Sequence, residues 1–224
     1  MHLTPTSTQP TAALAGVPSG IQSHGVWAGR RQVFIRFATE AETAQMYSAS
    51  ALVKELTRAA TRATFHSIGV AGRDPVGNSE FLLAVLAALD VSLPVLLETD
   101  GQRPERLASF QGARGLTVVQ VSATLGEGDA AFDRQLATLQ AAAAIGVRHA
   151  FAVTPGPDVP DAVVLRAIER VHATAAGTEV VVHPVVSEKP GQLDRRWATL
   201  IEQASAVHAD VQLLLRIPPP AGLR

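Results

Sequence analysis

The chain has 224 residues, a formal charge of −1 from 19 Lys and Arg against 20 Asp and Glu, 47% apolar residues and no cysteine. That length suits one ordinary domain, and the missing sulfur excludes disulfides, thiolate zinc sites, cysteine nucleophiles and cysteine-ligated iron–sulfur clusters. The balanced charge excludes the basic field that binds nucleic acid, and no apolar run nears the roughly 20 residues that span a bilayer. Neither nucleic acid nor a membrane is therefore expected as a partner, and the chain reads as cytoplasmic.

Residues 1–19, rich in Thr, Pro and Ser without an apolar period, read as a flexible lead-in, followed by one domain over 20–224. Short apolar runs then alternate with longer segments of helical period. The runs are Gln32–Ala38, Thr64–Val70, Pro94–Glu98, Leu116–Val121, Arg148–Thr154, Glu179–Val185 and Val211–Arg216. Most have no wet face, as expected of strands covered on both sides. Between them lie helical stripes such as Phe81, Leu82, Val85, Leu86 and Leu89, or Val163, Val164, Ala167, Ile168 and Val171. Trp197, Leu200, Ile201, Ala204 and Val207 form another, with Trp197 expected in the core. Ser79, Asp161 and Asp194 stand where helix N-caps belong. The alternation predicts an α/β fold of mostly parallel strands, as a curled incomplete barrel or an open doubly wound sheet.

In such folds the site lies beyond the carboxyl ends of the strands. That rule selects Thr39 and Glu40, then Gly72, Arg73 and Asp74, then Glu98, Thr99 and Asp100, then Ser122, Thr124, Thr154, His183 and Arg216. As a set they suit a polar small molecule; singly, each suits ordinary loop chemistry. The seven histidines show no HxH, HxxxH or HExxH spacing. His172 and His208 read as surface residues, His66 and His149 as hydrogen-bonded core residues, and His183 as the one site candidate.

Taken in order, several segments carry a family pattern. Gly20–Phe37 reads GIQSHGVWAGRRQVFIRF against SxQGEGxxxGxxxxFVRL, matching at Gln22, Gly25, Gly29, Phe34 and Arg36 and departing at Ser23 and His24. GVAGRDP stands against TGGEP, PVLLETDG against a strand ending in ETNG, VQVSATLG against VSPK, VVVHPV against a strand ending in QP, and LLRIPPPAGLR against PQxHKLLGLR. The chain thereby resembles 7-carboxy-7-deazaguanine synthases, radical S-adenosylmethionine lyases of queuosine and deazapurine biosynthesis. The resemblance implies a partial (β/α)6-type TIM-like barrel with a radical SAM-like core.

It also implies substrate contacts at Gln22, Arg36, Glu98 and Thr99, and degraded cofactor contacts at Gly72, Asp74 and Ser122. The family's three cluster cysteines align with Glu40, Ala44 and Tyr47, none of which can ligate iron as a thiolate does. No iron–sulfur cofactor is expected, the S-adenosylmethionine pocket is expected to be altered by Arg73, and Ser48, Ala49 and Ser50 do not supply the family's magnesium site. The expected function is a pseudoenzyme that binds a small heterocycle or a protein partner, as a homodimer or a heteromer with a relative. The alternative is non-radical chemistry, a metal- or acid/base-dependent lyase or hydrolase at the same rim, using Asp74, Glu98, Asp100 and His183. An open cavity facing Glu40, Gly72, Glu98 and Ser122 would favour a ligand. One plugged by Arg73 or Tyr47 would favour a structural subunit.

Overall fold

The computed structural model describes residues 9–126, 128–156, 158–184 and 195–214. The expectations that fall on Val185, Asp194, Arg216 and the 217–224 tail lie outside these residues.

Each of the seven apolar runs overlaps a strand: β3 (Arg31–Phe37), β5 (Ser67–Gly72), β6 (Val95–Thr99), β7 (Leu116–Leu125), β8 (Arg148–Pro155), β9 (Glu179–Val182) and β10 (Val211–Leu213). They pair in parallel in that chain order. Three further strands, β1 (Thr11–Gly16), β2 (Ser19–Ile21) and β4 (Gln45–Ser48), add antiparallel. The sheet is open, from β10 at one end to β4 at the other. The fold is thus α/β with mostly parallel strands.

The strand order decides between the two expected architectures. Each crossover moves one place in the same direction, so right-handed connections put all the helices on one face. A doubly wound sheet needs a reversal of order, which this one lacks. The result is a curled partial barrel, with helices α1 (Ala49–Arg62), α2 (Ser79–Ala88), α3 (Asp129–Ala144), α4 (Asp161–Thr174) and α5 (Arg195–Val207) outside.

Strand alternation then assigns the side chains. Ile35, Phe37, Ile68, Val70, Val95, Leu97 and Val119 form one core with Leu52, Leu56, Phe81, Leu82, Val85 and Leu86 of α1 and α2. Val121, Phe151, Val153, Val180 and Val182 form another with Leu136, Leu139, Val164, Ile168, Trp197 and Leu200 of α3, α4 and α5. The opposite, concave face carries Gln32, Ser67, Leu96, Glu98, Val118, Gln120, Ser122 and Ala150. A loop over 22–30 covers part of it, closed at its base by backbone bonds from Gln22 N–H to the Arg30 carbonyl (2.9 Å) and from Gly29 N–H to the Gln22 carbonyl (2.8 Å). Trp27 packs from this loop onto Leu96, Val118 and Ala150.

Several sequence expectations need correction. The lead-in contributes β1, where Ala12 and Leu14 are buried between β3 and β4, because two apolar residues at spacing two suffice for a half-buried antiparallel strand. Ser79 and Asp161 are first helical residues rather than caps. Asn78 and Pro160 hold the cap positions without a side-chain bond, and Asp161 instead accepts from Arg196 Nε at 2.6 Å. Ser48 is a true N-cap, accepting from Ala51 N–H at 3.3 Å. His208 is buried, donating from Nε2 to the Thr178 carbonyl (2.7 Å) and facing His172 with Nδ1 to Nδ1 at 3.0 Å. His66 is exposed at the strand start, edge-on to Trp27.

Because β1 seals one side of the first core, Leu14→Ala is expected to lower stability by about 2–5 kcal/mol, read from the urea midpoint. A change near zero would mean that β1 is not part of the core.

Candidate functional site

The concave face meets the carboxyl ends of β6, β7, β8 and β9 at a cavity of about 350 Å³. It is lined by side chains that could bind a polar molecule: His24, Asp100, Gln102, Ser122, Thr124, Arg134, Gln135, Thr154 and His183. Neither Arg73 nor Tyr47 enters it, and Glu40 and Gly72 are not part of its wall. The cavity is therefore open, though displaced from the expected position towards β7 and β8.

Glu98, near the end of β6, does not line the cavity either, but stands behind two residues that do, His24 and Ser122. Its Oε1 accepts a hydrogen bond from Ser122 Oγ at 2.9 Å and a short contact from His24 Nε2. Burial works against the charged form of Glu98. The hydrogen bonds that His24 and Ser122 donate to it act the other way, and the carboxyl is held below its ordinary value. Glu98 is thus an ionised carboxylate, which can only accept, so His24 Nε2 carries a proton. The other nitrogen, Nδ1, lies 3.1 Å from Ser23 Oγ and in the neutral ring is the basic one. A proton taken there leaves an imidazolium directly against the carboxylate.

His183 follows β9 and is buried. Its Nε2 accepts from Gly25 N–H at 2.6 Å and its Nδ1 faces the Leu214 carbonyl at 2.9 Å. A peptide N–H can only donate and a carbonyl can only accept, so this ring is a neutral imidazole protonated at Nδ1. Opposite the His24–Glu98 pair, α3 presents Arg134, which makes no ion pair among the described residues. Asp100 is held to Gln102 Nε2 at 2.6 Å.

Of the residues expected to bind substrate, none lines the cavity, and only Glu98 bonds residues that do. Gln22 is buried in the covering loop, whose base its backbone closes. Arg36 pairs with Glu42 at 2.6 Å on the rim. Thr99 points to the turn, its Oγ1 accepting from Gly101 N–H at 3.2 Å. Among the expected cofactor contacts, Ser122 is in the site. Gly72 is a packing glycine with φ of +100°, where a Cβ would come 2.2 Å from the Phe37 carbonyl oxygen. Asp74 is a turn residue, bonding Gly77 N–H at 2.9 Å and Arg103 Nε at 2.5 Å.

The three positions aligned with cluster cysteines do not share a pocket. Glu40 is exposed and paired with Arg73, Ala44 is exposed, and Tyr47 is buried in edge strand β4. Sequence reasoning missed His24, Arg134 and Gln135, and weighed His24 only as a departure from a motif. It lies 74 residues from Glu98 and on no periodic element, so no local pattern marks it. Among the described residues no three of His, Asp or Glu converge as a metal-binding group, and no helix is long and apolar enough to cross a membrane.

No family model matches the chain, and no curated protein does. Twenty-six chains of solved structures match. One is a type I 3-dehydroquinate dehydratase from Clostridium difficile with covalently modified comenic acid, at 14% identity, covering 73% of this chain and 69% of that one, with a TM-score of 0.44. The resemblance to radical S-adenosylmethionine enzymes is not upheld: no model of that or any other family matches the chain, and no curated protein does. With it go the queuosine connection, the radical SAM-like label for the core and the reading as a degenerate synthase. Two of the motif matches fell on residues with local structural roles in this chain, Gly72 in close packing and Thr99 in a turn.

The folded pKa of Glu98 lies below its ordinary 4.5. Its ionised form therefore contributes stability that is fully present above about pH 4.5 and is lost as pH falls through the lower, folded value. Glu98→Gln should accordingly be less stable than the parent by about 1–3 kcal/mol at pH 7. In paired urea titrations from pH 7 to pH 3, that gap should narrow below pH 4.5. A gap that is constant with pH would contradict an ionised, paired Glu98.

Proposed function

We propose that the chain is an enzyme of non-radical acid–base chemistry, a lyase or hydrolase acting on a small, polar, anionic molecule held in the concave cavity. The observation that carries this reading is the His24–Glu98–Ser122 arrangement, an imidazole backed by an ionised carboxylate at the wall of an open cavity. His24 takes a proton at Nδ1 and returns it. Glu98 holds the ring, fixes its tautomer and favours the imidazolium that forms. Arg134 offers a guanidinium to a carboxylate or phosphate of the substrate, and Thr124, Thr154, Gln102 and Gln135 offer hydrogen bonds to hydroxyl or carbonyl oxygens. Asp100 disfavours a second anionic group at its own side.

Of the two reaction classes, elimination is favoured by what the cavity contains. It needs one group that moves a proton and one that anchors an anion, and His24 and Arg134 supply these.

The test is a panel of hydroxy acids, keto acids and neutral polyols of matched size, screened by thermal shift and then by NMR for product formation or exchange of substrate C–H in heavy water. Acids should stabilise the protein and neutral polyols should not, with Arg134→Ala removing the difference. Turnover or exchange should fall about 10²–10⁴-fold in His24→Ala. A panel with no stabilising acid, or turnover indifferent to His24→Ala, would overturn the reading.

A further inference from the structure

We infer that Gln120 and His183 are positioning residues which act through His24, by holding the two peptide N–H groups that follow it. The inference rests on His24 as the proton-transfer group, but its structural content can be read without any substrate.

Gly25 N–H donates to His183 Nε2 at 2.6 Å, and Val26 N–H donates to Gln120 Oε1 at 3.0 Å. The backbone directly after His24 is thus held by side chains from two separate strands of the sheet, β7 and the end of β9. Both side chains are buried, Gln120 completely. His183 is itself fixed through Nδ1 and the Leu214 carbonyl beyond β10, so the acceptor it offers Gly25 cannot turn away without loss of a second bond.

Gln120 has an unusual arrangement that points the same way. With its Oε1 on Val26, its Nε2 is buried with no partner. Turning the amide over would set an NH₂ against the Val26 N–H, so the orphaned donor is the consequence of serving the loop. An apolar side chain in this position would avoid that cost, because unmet buried donors are rare in folded proteins. The contact with Val26 accounts for a glutamine here. Glu98 is the register partner of Gln120 on the neighbouring strand, so one side chain holds the loop while the next receives its histidine.

Gly25 completes the device. Its φ is +78°, and a Cβ there would come 1.9 Å from Gln120 Oε1. The loop backbone lies directly against the glutamine amide, and only glycine allows this approach. Docked in this way, the segment sets the His24 ring edge-on to His183, with centroids 6.1 Å apart, and its Nε2 on Glu98.

The experiment uses the full chain labelled with ¹⁵N and ¹³C histidine. The parent is expected to show His24 as the Nε2–H tautomer, with a downfield, slowly exchanging ring proton shared with Glu98. His183→Leu, Gln120→Met and Gly25→Ala should each lose that proton and give His24 the mixed tautomers of a solvated ring. His183→Gln, whose amide oxygen can accept from Gly25, should keep it. Cooperative thermal unfolding establishes that each variant is folded, and the three disrupting variants are independent, so one that fails to fold leaves two.

For an acid found by the panel above, kcat should fall about 10²-fold in the disrupting variants with little change in KM, and His183→Gln should recover most of it. An unchanged His24 signal in folded His183→Leu and Gln120→Met would overturn the inference. The expected NMR pattern with no turnover of any acid would instead overturn the proposed enzyme and leave the positioning role standing.

Discussion

An ionised carboxylate inside a protein must be met by donors, since desolvation otherwise drives it to protonate or move to the surface. Glu98 meets that requirement with Ser122 from the neighbouring strand and His24 from a loop that crosses the concave face. The second of these donors is distant in sequence and has no regular element of its own. The covering loop must therefore be held firmly, and the buried polar groups of the inner face are spent on that. Gln120 and His183 bond its amides, and Trp27 anchors it on Leu96, Val118 and Ala150.

This constraint explains why the two faces of the sheet differ so sharply. The outer face packs in two apolar clusters under the five helices of the described residues, and its packing needs only hydrophobic residues of suitable size. Among the described residues the inner face has no helix against it. An open, curled sheet leaves that face partly accessible, so apart from Leu96 and Val118 beneath Trp27 the residues named on it are polar or small. Ser122, Thr124, Ala152 and Thr154 show this along β7 and β8. The cavity results from small side chains beneath polar walls, at the strand ends where loops vary without disturbing the core.

Much of the architecture was legible from alternation alone. Runs such as PVLLE and LTVVQV are apolar on both faces, and stripes such as Phe81, Leu82, Val85 and Leu86 bury one side of a helix. β1 escaped because its two buried residues, Ala12 and Leu14, sit among threonine and alanine, a composition that also suits a disordered lead-in. In the site, Glu98, Ser122 and His183 were selectable by their place at strand ends. Thr99 satisfied the same rule but faces a turn, because a one-residue step along a strand reverses the side a residue faces, and Asp74 lies beyond the end of β5, in the turn it bonds. The motif-based reading failed for a related reason. Glycines with positive φ and polar residues after strands recur wherever this geometry recurs, whatever the chemistry.

The sequence by itself determined the α/β class, the number of the parallel strands, the helix faces and the absence of any thiol chemistry. All of these depend on residue type and on periods of two and 3.6 within a single segment. Only the tertiary structure decided that His24 faces Glu98, that His183 is a neutral acceptor rather than a free imidazole, and that Gln120 serves a loop. Those facts depend on pairings across 74, 158 and 94 residues. A contact between a loop and a strand that far apart leaves no period in the chain, because neither partner repeats.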